Sequence, residues 1–301
     1  MRLLPVVLLL FSSFLQAQQH YDVLIQHGRI IDGSGNNWYY GDVAVKDGKI
    51  VKLGRINNAT ATTVIDAKGL TIAPGFIDVH THIEGDESQD PQAKSFIYDG
   101  VTTVVAGNCG ASNVGVGKYL RWIDSLHLSV NVATLIGHND VRKAVMGRAN
   151  RDATAAELQQ MEQLVAKAMQ EGAVGLSTGL IYIPGTYTKT PEIVSLARVA
   201  ARYGGLYASH MRDEGDSVVQ AINEAITIGR EAGLPVQISH FKVSGQHNWG
   251  RSKETVAMVE AARKEGIEVT IDQYPYTASS TGISTLLPDA VLADGQDSIK
   301  A

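Results

Sequence analysis

His80 and His82 stand two apart in the stretch PGFIDVHTH. In an extended segment residues i and i+2 point to the same side, so the two imidazoles can chelate one metal ion. Two further histidines, His210 and His240, close the apolar runs GLYASH and LPVQISH. A charged ring at the end of a buried run is costly unless it is bonded to something. One such histidine is ordinarily a hydrogen-bonded core residue; two in matching positions, beside a His-X-His pair, are better explained by a metal centre. The only cysteine, Cys109, ends the run VTTVVAGNCG in the same way. Without a second cysteine it forms no intramolecular disulfide. Imidazole nitrogens with one thiolate suit zinc, and a nearby cation favours the thiolate. Cys109 is therefore a candidate zinc ligand.

These residues belong to a longer series. A polar residue closes each of seven apolar runs: His80, Cys109, His138, Ser177, His210, His240 and Asp272, at intervals of 29, 29, 39, 33, 30 and 32 residues. Amphipathic stretches separate the runs. Thr154-Ala-Ala-Glu157 is a capping box opening a helix with Leu158, Met161, Leu164, Val165 and Ala168 on one face, and Gly172 ends it. Asp90-Pro91 and Thr190-Pro191 each signal a helix start, with Asp90 and Thr190 as caps. One strand and one helix per roughly 30 residues is the period of a (β/α)₈ barrel, whose site lies on the C-terminal rim of its strands. An open doubly wound sheet also alternates strands with helices, but places its ligand at one switch point rather than at every strand end. Neither GxGxxG nor GxxxxGK[ST] follows a strand here. The fold class expected is thus α/β, a TIM-like barrel with about seven strands present, preceded by a small β-sandwich-type domain. That domain, over 18–71, is a set of short strands with a hairpin turn at Lys46-Asp47-Gly48-Lys49. The barrel occupies 72–301.

The composition narrows the partners. A net charge of −5 with no basic run argues against nucleic acid and leaves a small-molecule substrate. The first residues, MRLLPVVLLLFSSFLQAQ, form a secretory leader over 1–17 with cleavage after Ala17, so the protein is expected to be exported, periplasmic or secreted. The apolar run is too short for a stable membrane span.

The motifs PGFIDVHTH, GNCG, GHNDVR, GLSTGLIYIPG, SHMRDEG, SHFK and DQYPYTASST, in this order over residues 21–285, resemble those of the amidohydrolase superfamily. More narrowly they are similar to the N-acyl-D-amino-acid deacylases, or D-aminoacylases. The resemblance implies a metal-dependent barrel that hydrolyses linear amides by metal-activated water. Many amidohydrolases bridge two metals with a carboxylated lysine; D-aminoacylases use a cysteine in that region, and GNCG places Cys109 there. By the same carry-over, Cys109, His210 and His240 hold the tight zinc, and His80 with His82 a second, weaker or optional one. A dihydroorotase-like cyclic amidase is the alternative enzyme, and a non-catalytic metal-binding remnant the alternative outside enzymology. The superfamily places its acid/base aspartate at the end of an eighth strand. Seven strands are counted here, so the chain is expected to be truncated, with Asp272 the alternative acid/base.

Several residues share a face or a loop with the candidate ligands. Lys242, two beyond His240, is placed to bind a substrate carboxylate or is a solvated lysine. Arg212, two beyond His210, does the same or pairs with Asp213 or Glu214. Tyr182, Tyr274 and Tyr276 line the substrate pocket or pack the rim, and Ser279 and Ser280 hydrogen-bond the substrate. Glu84, Asp86 and Glu87 tune the second metal or form a solvated loop. His138 supports the site without ligating.

Overall fold

The computed structural model describes residues 19–287, and the leader over 1–17 lies outside them. Contacts divide the chain into two compact units between Gly75 and Phe76.

The first unit is one sheet of β1 (Gln19–Ile30), β2 (Tyr39–Lys46), β3 (Lys49–Gly54), β4 (Ala59–Asp66) and β5 (Thr71–Ile72). Its order is β3-β2-β1-β4, with β5 also on β1. β2 and β3 form the expected hairpin, and Asp47 and Gly48 both take positive φ, 51° and 71°, as a turn matched to strand twist requires. Tyr21, Leu24, Ala44 and Ile56 are its buried cluster.

The second unit alternates strands and helices as the 30-residue period predicts. In order it runs β6 (Phe76–Asp78), α1 (Lys94–Ile97), β7 (Val101–Ala106), α2 (Val116–Leu126), β8 (Asn131–Thr134), β9 (Ile136–Gly137), α3 (His138–Met146) and α4 (Ala155–Gln170). Then follow β10 (Gly175–Gly179), α5 (Thr190–Ala201), β11 (Leu206–His210), α6 (Val218–Ala232), β12 (Val236–Ile238), α7 (Ser252–Lys264) and β13 (Val269–Ile271). All pairs are parallel, in the orders β6-β7-β8 and β13-β12-β11-β10-β9. β8 and β9 are one pass of chain interrupted at Leu135, whose N–H still bonds to Ala106 O. Seven parallel strands therefore follow one another in chain order, the TIM-barrel-like arrangement. Among the described residues there is no eighth. The core lies between strands and helices, where Leu176, Tyr207, Val236 and Ile238 meet Met161, Ile193, Leu196 and Ile222.

One helix start and one helix cap differ from expectation. Asp90-Pro91 does not open a helix; turns run to Ala93, which takes φ 47°, and α1 begins at Lys94, whose N–H reaches Asp90 Oδ2 at 3.3 Å. Thr190 does not cap α5 either: Lys189 is the cap residue, and the Thr190 hydroxyl donates to Glu224 2.8 Å away. The Thr154–Glu157 capping box forms as read. Among the described residues no helix is long and apolar enough to cross a membrane.

Candidate metal centre

The strand ends converge on Cys109. Its Sγ lies 3.5 Å from His80 Nε2, 3.8 Å from His240 Nε2 and 3.4 Å from His210 Nδ1, and the last two nitrogens are 2.9 Å apart. The four residues come from the ends of β6, β7, β11 and β12, so the period that spaced them in sequence also gathers them in space. Zinc–sulfur bonds of about 2.3 Å and zinc–nitrogen bonds of about 2.05 Å give tetrahedral edges of about 3.5 Å for S to N and about 3.3 Å for N to N. Two sulfur edges match, while the edge to His240 needs to close and the nitrogen pair to open by a few tenths of an ångström; the converging donors form two overlapping groups, His80 with Cys109 and His240, and His210 with Glu214 and His240. The donor set fits a zinc ion.

Both Cys109 and His240 sit in left-handed backbone, at φ 54° and 38°. Such conformations are uncommon for residues with a Cβ and persist where surroundings hold them. At Cys109 the holder is Ser177, fully buried, whose Oγ accepts from Gly110 N–H at 3.1 Å and donates to Gly107 O. Asn139 braces the turn from behind, donating to Gly179 O (2.9 Å) and accepting from Gly179 N–H (3.2 Å). A Cβ on Gly110 would strike the Asn139 carboxamide, and one on Gly137 would strike Gly110 O. At His240 the holder is Asp272, whose Oδ1 accepts the His240 N–H at 2.5 Å. Asp272 Oδ2 accepts from Gln237 Nε2 at 2.8 Å and lies 3.6 Å from His80 Nδ1.

The charges follow from this packing. Burial, then the charges of Asp272 and Glu214, holds the free Cys109 thiol up at about 12. Burial, then His240, holds His210 down at about 3. Burial would raise Glu214, but His240 and Lys242 keep its carboxyl down at about 2. Burial likewise opposes ionisation of Asp272, yet His80, Gln237 and the His240 N–H hold it below its ordinary value.

The remaining expected residues fall into place around this cluster. His82 packs its ring 5.2 Å from that of His80, more exposed and outside the groups of converging donor atoms. Lys242 Nζ is 2.6 Å from Glu214 Oε2, with the Tyr274 ring centroid at 5.7 Å. Arg212 is committed elsewhere: its guanidinium meets both oxygens of Glu224 at 2.9 and 3.0 Å and the carbonyls of Thr186 and Thr188, so its acid lies on α6 and is neither Asp213 nor Glu214. Tyr182 stands edge-on to the His210 ring, centroids 4.9 Å apart, with its hydroxyl 3.0 Å from Thr281 Oγ1. Tyr276 is exposed and stacks on Tyr274, and Ser279 and Ser280 lie on exposed chain beyond it.

His138 is buried and turned to Glu192 at 2.9 Å, which also holds the fully buried Arg142 at 2.5 Å. Glu87 is buried rather than solvated, accepting from Tyr119 OH at 2.9 Å and Gly85 N–H at 2.6 Å. Glu214 is the site residue that sequence reasoning passed over: its Oε1 lies 2.7 Å from His240 Nδ1. Its only signal was its place four residues beyond His210 in SHMRDEG.

Comparison with known proteins agrees with this geometry. A model of the amidohydrolase family matches residues 63–293. A D-aminoacylase of Alcaligenes xylosoxydans xylosoxydans is 39% identical over 92% of this chain and 61% of its own length. An N-acyl-D-glutamate deacylase of the same organism is 36% identical over 94% of this chain and 62% of its own. The chain thus spans about three fifths of the length of these curated relatives. The crystal structure of N-acyl-D-glutamate deacylase from Bordetella bronchiseptica, complexed with zinc and a phosphonate inhibitor, superposes with a TM-score of 0.82 at 38% identity, over 86% of this chain and 59% of that one.

Proposed function

The chain belongs to the amidohydrolase family, and from that premise we propose that it carries the zinc-holding part of an N-acyl-D-amino-acid deacylase. The observation that carries this reading is the convergence of His80, His210 and His240 on Cys109 at sulfur–nitrogen separations close to those of a zinc site. The relatives named for N-acyl-D-amino-acid chemistry support the substrate class.

In this reading Cys109, His210 and His240 hold the tight zinc, His80 closes the tetrahedron or shares a second ion, and His82 belongs to that weaker site. Bound zinc lowers the pKa of a water towards 7 and polarises an amide carbonyl, which is the chemistry amide hydrolysis requires. Lys242 meets the carboxylate of the N-acyl-amino acid, oriented by Glu214 and the Tyr274 ring. Tyr182 walls the pocket on the His210 side. Asp272 holds the backbone of His240: its oxygens already accept from the His240 N–H and from Gln237 Nε2, which leaves it poorly free to carry a proton between water and leaving amine. The acid/base expected at an eighth strand end has no counterpart among the described residues. The leader-type N-terminus supports a periplasmic or secreted location, where D-amino-acid compounds released from peptidoglycan would be substrates.

The test is zinc per chain in wild type beside Cys109→Ala, with release of D-methionine from N-acetyl-D-methionine followed in parallel. The expected result is close to one tight zinc in wild type and its loss in the variant. Zinc retained by Cys109→Ala would overturn the ligand assignment. Turnover by the 301-residue chain that Asp272→Asn abolishes without loss of zinc would move the acid/base role to Asp272.

A further inference from the structure

We propose that Arg212 is a positioning residue for the substrate pocket: it fixes the loop that stands Tyr182 against His210, and so holds the pocket width on that side. The inference rests on the reading of Tyr182 as a pocket wall. The loop leaves β10 at Gly179 and enters α5 at Thr190. At its start, Leu180 N–H donates to His210 O at 3.0 Å, and Asn139 Nδ2 donates to Gly179 O at 2.9 Å. Further along, Thr186 N–H donates to Tyr182 O at 3.0 Å, Tyr187 N–H to Pro184 O at 3.2 Å and Thr188 N–H to Gly185 O at 3.0 Å. The segment is one tight coil, so whatever holds Thr186 also holds Tyr182. Gly185 leaves it no slack, because a Cβ there would strike Gly179 O and the Asn139 carboxamide.

Arg212 holds the far end of the coil. Its Nη1 donates to Thr186 O at 3.0 Å and its Nη2 to Thr188 O at 2.8 Å. Glu224 of α6 aims the guanidinium, accepting from Nε at 3.0 Å and from Nη2 at 2.9 Å. Glu224 Oε1 also accepts from the Thr190 hydroxyl at 2.8 Å, so one carboxylate serves both the arginine and the start of α5. That carboxylate is 13% exposed, and water competes little for it. Only a planar fork of donors can meet a carboxylate along one edge and carbonyls along the others. Arg212 also follows His210 by two residues. The Tyr182 loop is therefore tied at both ends to the segment that carries His210, through the His210 carbonyl and through the Arg212 side chain. Between these two ties stands the Tyr182 ring, its centroid 4.9 Å from that of His210.

Arg212→Met removes the clamp without altering a metal donor or the Tyr182 ring. Hydrogen exchange of the zinc-loaded full chain, followed by mass spectrometry, monitors the amides of 182–188. They should exchange about tenfold faster or more, while those of β10 and α4 exchange as in wild type. Zinc affinity, from competition with a chromophoric chelator, should stay close to wild type. Binding of the methylphosphonamidate analogue of N-acetyl-D-methionine, measured by calorimetry, should weaken by about 10–100-fold, the cost of a pocket group misplaced by about an ångström. Arg212→Lys keeps the charge but not the fork; it should show the same pattern to a smaller degree, and it replaces the methionine variant if that fails to fold. Unchanged exchange over 182–188 would overturn the inference. Faster exchange with unchanged analogue binding would leave a clamp with no role in the pocket, and would overturn it too. Zinc lost in parallel would mean a general disturbance of the site and would also overturn it. Wild type that binds zinc but not the analogue would overturn the deacylase reading and the pocket role of Arg212 with it; exchange is measured without the analogue, so that failure is distinguishable from failure of the clamp.

Discussion

Replacing Ser177 with Ala removes one oxygen from the interior, yet the structure predicts a large effect. Ser177 is fully buried and its hydroxyl serves two backbone groups of the cysteine turn, Gly110 N–H and Gly107 O. Deleting it strands one donor and one acceptor where water does not reach. Each stranded group costs about 1–3 kcal/mol, so the metal-free chain should lose about 2–6 kcal/mol. At about 2–4 °C per kcal/mol for a chain of this size, the melting temperature should fall by roughly 4–24 °C. The turn can recover part of this by relaxing out of the left-handed conformation at Cys109, but that swings Sγ away from the three imidazoles. Stability and metal affinity therefore fall together, the second by about tenfold or more. Thermal unfolding with and without zinc, plus a zinc titration, reads both. A melting shift under about 2 °C with unchanged zinc affinity would refute the claim that Ser177 holds the turn.

The Glu192 cluster and the thiol give further tests. Glu192→Ala leaves the fully buried Arg142 uncompensated and should cost about 3–5 kcal/mol. Adding Arg142→Met should return much of that loss in urea unfolding; a double variant no more stable than Glu192→Ala would contradict it. Zinc uptake should depend on pH through Cys109. With the free thiol at about 12 and His210 at about 3, a metal-free chain at pH 7 holds a protonated thiol and a neutral His210. Binding therefore expels one proton from Cys109 and none from His210, and affinity should tighten about tenfold per unit rise in pH. Calorimetry in buffers of different ionisation enthalpy counts that proton, and a release near zero would contradict the thiol assignment.

Much of this architecture could be read from particular residues. The spacing of His80, Cys109, His210, His240 and Asp272 predicted consecutive parallel strands with chemistry at one rim, because one strand and helix consume about 30 residues. The solitary cysteine was informative because a buried thiol without a partner calls for another role. What escaped depends on contacts between distant segments. Nothing local marks Glu214 as the partner of His240 or Glu224 as the partner of Arg212, since both pairings are made by loops and helices meeting beyond the strand ends. Ser177 was legible as a strand end but not as the staple of a turn 67 residues earlier. The helix start at Lys94 was lost because Asp90 bonds locally across a turn, an alternative always open to aspartate.

The central claim is that one sulfur and several imidazoles meet at a single ion, and zinc X-ray absorption of the purified, zinc-loaded chain tests it most directly. The account predicts a first shell with one sulfur at about 2.3 Å beside nitrogen donors at about 2.0–2.1 Å, the sulfur vanishing in Cys109→Ser. A shell of nitrogen and oxygen alone in wild type would contradict it.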